Sequence, residues 1–430
     1  MTKLHTHNAP DISVVKPHFL FGAFAFALAV LLMILADSDL LAPYYATKIL
    51  AVVHTNILGW AMMLIYGSLY QLVPVVFEAK LFSETMAKIT FALTGIAILI
   101  MAYAFWYGKL DTWLIWGASL MYIALFLFVL NIALSYKDAQ LKNIKSYFIL
   151  AAIFWLFLTQ TEGLLMALNF KYAFYASGSL PHLKIHAVMG LVGFFLMMIF
   201  GVGTTLVPMF LVSHKHSEKP LKPAFVLINA GLAVLVLSWW FYPSKTAEIA
   251  AWLMIVSGIG FYLKFVYDAY KNRFKRILDE GMKPTMLMFV LLIIPMVLSL
   301  FLLGQSNPYS HKAMILTALF GFSLIFGVIN LIILGQTYKT IPFIIWLERY
   351  QPYVGKYKIP LPKEVYIARL AVWQFRLYLV FYILFIFGLI FQEMILIRIA
   401  LIFLALTAVS YNFNMLKMFF HKPHLEPLEK

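Results

Sequence analysis

Three side chains that are able to bind a metal or carry a proton lie inside apolar stretches of this 430-residue chain. They are His54, Glu162 and His186. A histidine or a carboxylate at membrane depth is costly to bury, so by default it marks a functional site with a partner. These residues therefore predict a site for cofactor ligation, metal binding or proton transfer within the membrane.

His182 and His186 are one helical turn apart, on the same face of one segment. This spacing lets two imidazoles converge on one metal ion, so His182, His186 and Glu162 are predicted as metal ligands. Other interpretations stay open at this stage. His182 is alternatively an exposed histidine at a helix start, and Glu162 is alternatively a proton carrier or the partner that orients an imidazole.

Two further polar residues are candidates for cofactor binding. His311 begins an apolar segment, and Arg376 lies inside the next one. An arginine in such a segment reaches back to the interface, pairs with a carboxylate, or meets an anionic group such as a haem propionate. The sequence does not rank these three roles.

The elements that hold these residues are predicted to be transmembrane helices. The chain is 63% hydrophobic and 12% charged, with a mean hydropathy of +0.89, and its apolar runs are long enough to cross a bilayer. Strand alternation is absent, which predicts an all-α polytopic membrane protein. Twelve spans are predicted, at residues 19–36, 49–77, 85–106, 112–135, 146–169, 182–212, 222–241, 247–270, 284–304, 310–338, 367–391 and 395–420.

Cysteine content and charge exclude several classes of protein. The chain has no cysteine, which rules out disulfides, thioether-attached haem and cysteine-ligated clusters. Its net charge of +15 resides in the loops between spans, which indicates topology and affinity for anionic lipid rather than for nucleic acid.

The distribution of the basic residues also predicts an orientation. The loops after even-numbered spans carry most of the lysines and arginines, so they are placed in the cytoplasm. Residues 1–18, which contain His5, His7 and His18, and residues 421–430 are then cytoplasmic tails. The expected location is the inner (plasma) membrane.

A glycine-to-proline interval of constant length occurs three times, at Gly67–Pro74, Gly201–Pro208 and Gly335–Pro342. Each interval starts 134 residues after the one before it. Self-similarity at a long period predicts internal repeats. Here it predicts a single membrane domain of three four-helix blocks, at residues 19–135, 146–270 and 284–420. The repeat is expected to place His54 and His186 on the same face of equivalent helices, at one depth below the outer surface together with Glu162.

The motifs around these intervals resemble a known family. They are His54-Thr-Asn-Ile-Leu-Gly59-Trp60 through Leu72-Val-Pro74, His186 through Leu206-Val-Pro208-Met-Phe, and Gly335-Gln-Thr-Tyr-Lys-Thr-Ile-Pro342-Phe343-Ile-Ile-Trp346. With twelve helices and both termini inside, the chain resembles subunit I of the haem–copper oxidase superfamily, most closely the cbb-type branch and its NnrS-like relatives. The resemblance implies non-covalent haem, b-type by expectation, and copper. It makes His54 an axial haem ligand and His186 a copper ligand.

The chain departs from that family where oxygen is reduced. The oxidases carry paired copper-binding histidines on helix seven, and span seven here has none. They also carry two haem-ligating histidines on helix ten, whereas span ten here has only His311, at its mouth. The resemblance therefore implies a diverged member without the complete oxygen-reducing site, and whether it is an enzyme stays open.

The expected function is that of a membrane protein that binds haem, copper or both. It would act in respiratory electron transfer, in nitric oxide or redox handling, or in metal delivery, beside lipid and other respiratory or redox subunits. Two alternatives remain. One is a secondary transporter, although transporter repeats usually pair two halves rather than three blocks. The other is a cofactor-free scaffold subunit of a membrane complex.

The predicted orientation has a direct test, because the absence of cysteine removes background labelling. Ser244→Cys lies in the loop after span seven, and Lys219→Cys lies in the loop after span six. We expect a membrane-impermeant maleimide to label Ser244→Cys in intact cells and Lys219→Cys only after permeabilisation. The reverse pattern would contradict the orientation.

Overall fold

The computed structural model describes residues 9–140, 142–176, 178–423 and 425–427. His5 and His7 of the predicted N-terminal tail, and residues 424 and 428–430 of the predicted C-terminal tail, lie outside these ranges. Twelve of the described helices are long and apolar enough to cross a membrane. We number them α1 (Ile12–Ala36, continued by a 3-10 turn, Asp37–Leu41), α2 (Thr47–Val76), α3 (Glu84–Trp106), α4 (Trp113–Lys137), α5 (Ile144–Tyr172), α6 (Leu180–Leu211), α7 (Leu221–Phe241), α8 (Lys245–Lys271), α9 (Met282–Leu303), α10 (His311–Arg349), α11 (Ala368–Phe391) and α12 (Met394–Phe419).

The prediction of an all-α polytopic membrane protein is confirmed at this level, since each predicted span overlaps one of the twelve helices. The largest difference at a C-terminal end is in α10, which continues to Arg349 through Pro342. The segment after α10 contains short 3-10 turns, Gln351–Tyr353 and Pro362–Glu364, and a two-residue strand, β1 (Tyr357–Lys358). It pairs antiparallel with β2 (Glu426–Pro427).

The predicted N-terminal tail of residues 1–18 is too long, because α1 already begins at Ile12. Asp11 caps the helix by accepting a hydrogen bond from the backbone N–H of Ser13 at 2.7 Å, which satisfies one of the donors left open at a helix start. His18 is therefore a buried helical residue, and its Nδ1–H donates to the carbonyl of Val14 at 2.8 Å.

The chain divides into two compact units. Unit 1 comprises Met1–Pro10, Leu69–Leu278 and Ser299–Ser306. Unit 2 comprises Asp11–Ser68, Asp279–Leu298 and Asn307–Lys430. Helices α2 and α9 contribute residues to both units.

Close helix pairs within unit 1 depend on glycine. Helices α7 and α8 cross where a Cβ on Gly231 would lie 2.9 Å from the carbonyl oxygen of Ala251. At the same crossing a Cβ on Gly258 would lie 3.1 Å from the carbonyl oxygen of Ala224. Membrane helices associate through such small residues because lipid offers little hydrophobic drive for association.

Unit 2 is built around α10, which packs against α9, α11 and α12. At the start of α9 the chain meets α10 so closely that a Cβ on Gly335 would lie 2.6 Å from the carbonyl oxygen of Gly281. Helix α1 packs against α12 and against the first half of α2. The glycine of the third glycine-to-proline interval is therefore a packing residue.

The three helices that contain the glycine-to-proline intervals share an irregularity. Each has a π-helical segment in its middle, at Thr55–Ala61, Met189–Leu196 and Ser323–Asn330. Each segment begins twelve residues before the glycine of its interval. Long π-helical stretches are rare in proteins, and π-bulges occur frequently at functional sites.

Two of these π-helical segments meet inside unit 2 through a pair of amides. Asn56 Nδ2 donates to Asn330 Oδ1 at 2.9 Å, and Asn330 Nδ2 donates to Asn56 Oδ1 at 3.1 Å. Both side chains are buried. A buried amide without a partner is expensive, so the reciprocal pair fixes α2 against α10.

We expect Asn56→Ala and Asn330→Ala each to lower the free energy of unfolding of the membrane-inserted protein. Because each substitution removes the reciprocal partner of the other amide, the double variant should lose less than the sum of the two. A double-mutant cycle in mixed micelles should give a coupling energy of about 0.6 to 2 kcal/mol. Strict additivity would show that the pair does not link the helices.

Candidate functional site

The central polar contact of unit 1 joins α5 to the first turn of α6. Nδ1 of His182 lies 2.8 Å from Oε1 of Glu162, and the Glu162 side chain is only 3% exposed. An ionised carboxylate only accepts hydrogen bonds, so in that state the imidazole donates from Nδ1, whereas a protonated Glu162 would donate to the ring nitrogen. Of the three roles considered for Glu162, the contact is that of the partner that orients an imidazole.

Tyr175, in the loop between α5 and α6, completes this cluster. Its ring is stacked on that of His182, with centroids 3.6 Å apart and planes 2° from parallel. Its hydroxyl lies 3.4 and 3.5 Å from the two carboxylate oxygens of Glu162. Trp240 from α7 meets the His182 ring edge to face at 5.1 Å. The imidazole therefore lies between an aromatic face, an aromatic edge and a carboxylate.

The loop holds Tyr175 through its backbone. Its N–H donates to Asn169 Oδ1 at 2.7 Å, and Asn169 Nδ2 donates to Ser179 Oγ at 2.9 Å. Burial raises the pKa of the Tyr175 phenol above its ordinary value of 10.0, and the Glu162 charge raises it further. Tyr175 could not be identified from the sequence, because a loop tyrosine has no periodicity or spacing that points to a partner.

His186 lies one turn after His182 and faces the same helix. Its Nδ1 is 3.0 Å from the carbonyl oxygen of Thr159 on α5. A Cβ on Gly163 would lie 2.9 Å from Cε1 of this imidazole, so a glycine at that position lets the ring approach. Unit 1 thus brings together Glu162, His182 and His186 along one helix face.

His54 belongs to unit 2 and is the residue directly before the π-helical segment Thr55–Ala61. Its Nδ1–H donates to the carbonyl of Leu50 in its own helix at 2.8 Å, and the side chain is half-buried. With the proton on Nδ1, the lone pair of the ring lies on Nε2. Metal-ligating histidines usually have their other nitrogen fixed in this way.

The other two candidates for cofactor binding are exposed residues of unit 2. His311 is the first residue of α10 and follows the helix cap Ser310. Arg376 lies on the outward face of α11, with its guanidinium carbon 5.1 Å from the centroid of the Trp373 ring. Of the roles considered for Arg376, an exposed position suits a side chain that reaches along lipid toward the interface.

The prediction that His54 and His186 lie on the same face of equivalent helices is wrong. His54 precedes Gly67 by thirteen residues, whereas His186 precedes Gly201 by fifteen. An offset of two residues turns a side chain by about 200° around an α-helix. Accordingly, His54 bonds within its own helix and His186 bonds to the neighbouring α5.

The predicted site residues are divided between the two compact units. Among those residues, no group of three or more histidine, aspartate and glutamate side chains is arranged to hold a metal ion. Glu162, His182 and His186 belong to unit 1, while His54, His311 and Arg376 belong to unit 2. The metal role of the unit 1 residues stays a prediction.

Comparisons with known proteins add a relative but no family. No family model matches the chain. The chain is 25% identical to an uncharacterized protein of Aquifex aeolicus (strain VF5) over 298 residues. The similarity covers 67% of this chain and 70% of that relative.

The electrostatic link between Glu162 and Tyr175 predicts a shift on substitution. In Glu162→Gln the negative charge beside the phenol is gone, so phenolate forms more easily and the pKa of Tyr175 falls. It stays above 10.0 because burial, the larger cause, remains. An alkaline ultraviolet titration, from which the same titration of Tyr175→Phe is subtracted, measures this pKa.

The matched control is Glu248→Gln in the same unit, where the carboxylate accepts from Trp239 Nε1 at 2.7 Å. This variant should leave the pKa of Tyr175 unchanged. An unchanged pKa in Glu162→Gln would mean that the carboxylate does not act on the phenol.

Proposed function

We propose that this multi-pass membrane protein binds haem through His54 and takes part in electron transfer, as a diverged relative of haem–copper oxidase subunit I. Haem would supply a one-electron iron couple that cycles between the ferric and ferrous states. The observation that carries the proposal is the geometry of His54, whose Nδ1–H is fixed on the Leu50 carbonyl at 2.8 Å. That contact presets the tautomer with the lone pair on Nε2, as an axial ligand of haem iron needs.

The register of the π-helical segments supports the kinship with the oxidase scaffold. Each segment starts at the same offset from the glycine of its interval. Each also contains a glycine eight residues before that interval, at Gly59, Gly193 and Gly327. A backbone irregularity that recurs at one period of the sequence favours three related four-helix blocks.

The histidines of this chain suit a haem site better than they suit the copper centre of an oxidase. One oriented imidazole in an apolar helix is enough to hold haem iron from one side. A copper centre of the family type needs three histidines, and α7 supplies none. Copper at His186 stays part of the proposal as a separate, simpler site, with His182 and Glu162 beside it.

Absorption spectra of the detergent-purified protein, oxidised and dithionite-reduced, test this function. We expect a Soret band that shifts on reduction in the wild type and is lost in His54→Ala, because the substitution removes the axial nitrogen. His311→Ala should retain the band, since its side chain is exposed at the mouth of α10. Elemental analysis of the same samples reports copper, and His186→Ala should lower any that is found.

A band that survives in His54→Ala, at the wild-type haem content, would contradict the role of His54. Copper without a Soret band would support metal handling at His182 and His186. Loss of the band in both His54→Ala and His311→Ala would indicate unfolding, which the elution volume of each variant checks independently.

Proton-coupled transport is the second candidate function, and the pair of Glu162 with His182 favours it. A buried carboxylate that shares a proton with an imidazole at a helix end is typical of proton-handling membrane sites. The His182 side chain is 15% exposed and that of Glu162 is 3% exposed, so the imidazole is the member of the pair that a proton from solvent would meet first. A colourless, metal-free protein would move the assignment to this function or to a scaffold role.

A further inference from the structure

One end of unit 2 gathers positive charge where α12 leaves the apolar region. We call Lys16, Arg349 and Lys417 the basic cluster, and His421 lies beside it. Nζ of Lys16 on α1 lies 5.3 Å from the ring centroid of Phe420, and Arg349 Nη2 donates to the carbonyl of Phe419 at 3.0 Å. Residues from α1, α10 and α12 therefore meet at one point.

A histidine beside the basic cluster senses the charges of Arg349 and Lys417. His421 lies just past the end of α12, and its Nε2 is 2.5 Å from the hydroxyl of Tyr350. Burial lowers the pKa of His421 below its ordinary value, and the charges of Arg349 and Lys417 lower it further. Glu348 lies beside Arg349, with its Oε2 3.7 Å from Nε, and offsets one of these charges.

The surface next to the basic cluster is apolar and exposed. In the last turns of α12 and at the residue after it, the side chains of Val409, Phe413, Leu416 and Phe420 are exposed. They form a stripe at helical spacing, and the exposed Lys417 lies next to the end of that stripe. A long apolar stripe capped by cations matches a molecule with a charged head and a hydrocarbon tail.

We propose that the basic cluster binds the phosphate of an anionic phospholipid whose acyl chains cover the outward stripe of α12. Charge complementarity selects the headgroup, because an anion beside Lys16, Arg349 and Lys417 pairs with their positive charges. The stripe favours a lipid over a soluble phosphate, because a lipid held by its headgroup also places its acyl chains against Phe413, Leu416 and Phe420. The binding site is separate from His54 and does not depend on haem.

The test is a titration of the detergent-purified full chain with dioleoyl phosphatidylglycerol, with bound lipid counted by native mass spectrometry. The variant is Lys16→Gln/Lys417→Gln, which removes two charges of the basic cluster and keeps the Arg349 contact to the backbone. The control is Lys356→Gln/Lys363→Gln, which removes two charges from exposed positions elsewhere in unit 2.

We expect the cluster variant to bind phosphatidylglycerol about tenfold more weakly than the wild type. The control should stay within about twofold of wild type, because its charges contribute only to the general surface field. Lys417→Gln alone, at an exposed position, should show a smaller loss in the same direction. Elution volume and tryptophan fluorescence show whether each variant is folded.

Equal losses in the cluster variant and the control would overturn the proposal, because binding would then follow overall charge. Equal binding of phosphatidylcholine to the wild type would also overturn it, since that lipid has no net charge. Displacement of phosphatidylglycerol by millimolar inorganic phosphate would assign the basic cluster to free phosphate instead of lipid.

Discussion

The structure depends on one constraint, which is that no water is available in the hydrocarbon core to satisfy a polar group. An unpaired buried amide costs several kcal/mol in such a medium, by an order-of-magnitude estimate. The amides of Asn56 and Asn330 meet this constraint through each other, since each donates to the other's oxygen. His54 meets it within its own helix, through the Leu50 carbonyl. The same pairing that satisfies a side chain also fixes its tautomer.

In unit 1 the same constraint gives the buried carboxylate of Glu162 a specific set of polar partners. Glu162 is buried with Nδ1 of His182 at 2.8 Å and the Tyr175 hydroxyl at 3.4 Å from one of its carboxylate oxygens. The cluster requires room between α5 and α6, and Gly163 supplies it where the His186 ring lies against the helix. A larger residue at position 163 would push the His186 imidazole away from α5. Because His186 lies one turn from His182, the packing at Gly163 and the pairing of His182 with Glu162 are coupled.

Much of the fold could be predicted from the sequence because span length and hydropathy are local properties. Each of the twelve spans can be predicted in this way. The start of α1 cannot, because Lys16 and Pro17 resemble loop residues unless the Asp11 cap is known. The sequence predicts the contact of Glu162 with an imidazole only as one of three roles. Tyr175 and the amide pair were not foreseen as contacts, because they depend on tertiary packing. The prediction that His54 and His186 share a face is wrong because their distances to the repeated glycine differ by two residues. Such an offset matters little when repeats are aligned, but it moves a side chain to a different face of a helix.

The central claim is that His54 is bonded to haem iron, and resonance Raman spectroscopy of the reduced protein tests this bond directly. Protein grown with nitrogen-15 histidine should show an iron–histidine stretching band at lower frequency than unlabelled protein. The band should be absent from His54→Ala and present in His311→Ala. A band that persists in His54→Ala, at the wild-type haem content, would contradict the account.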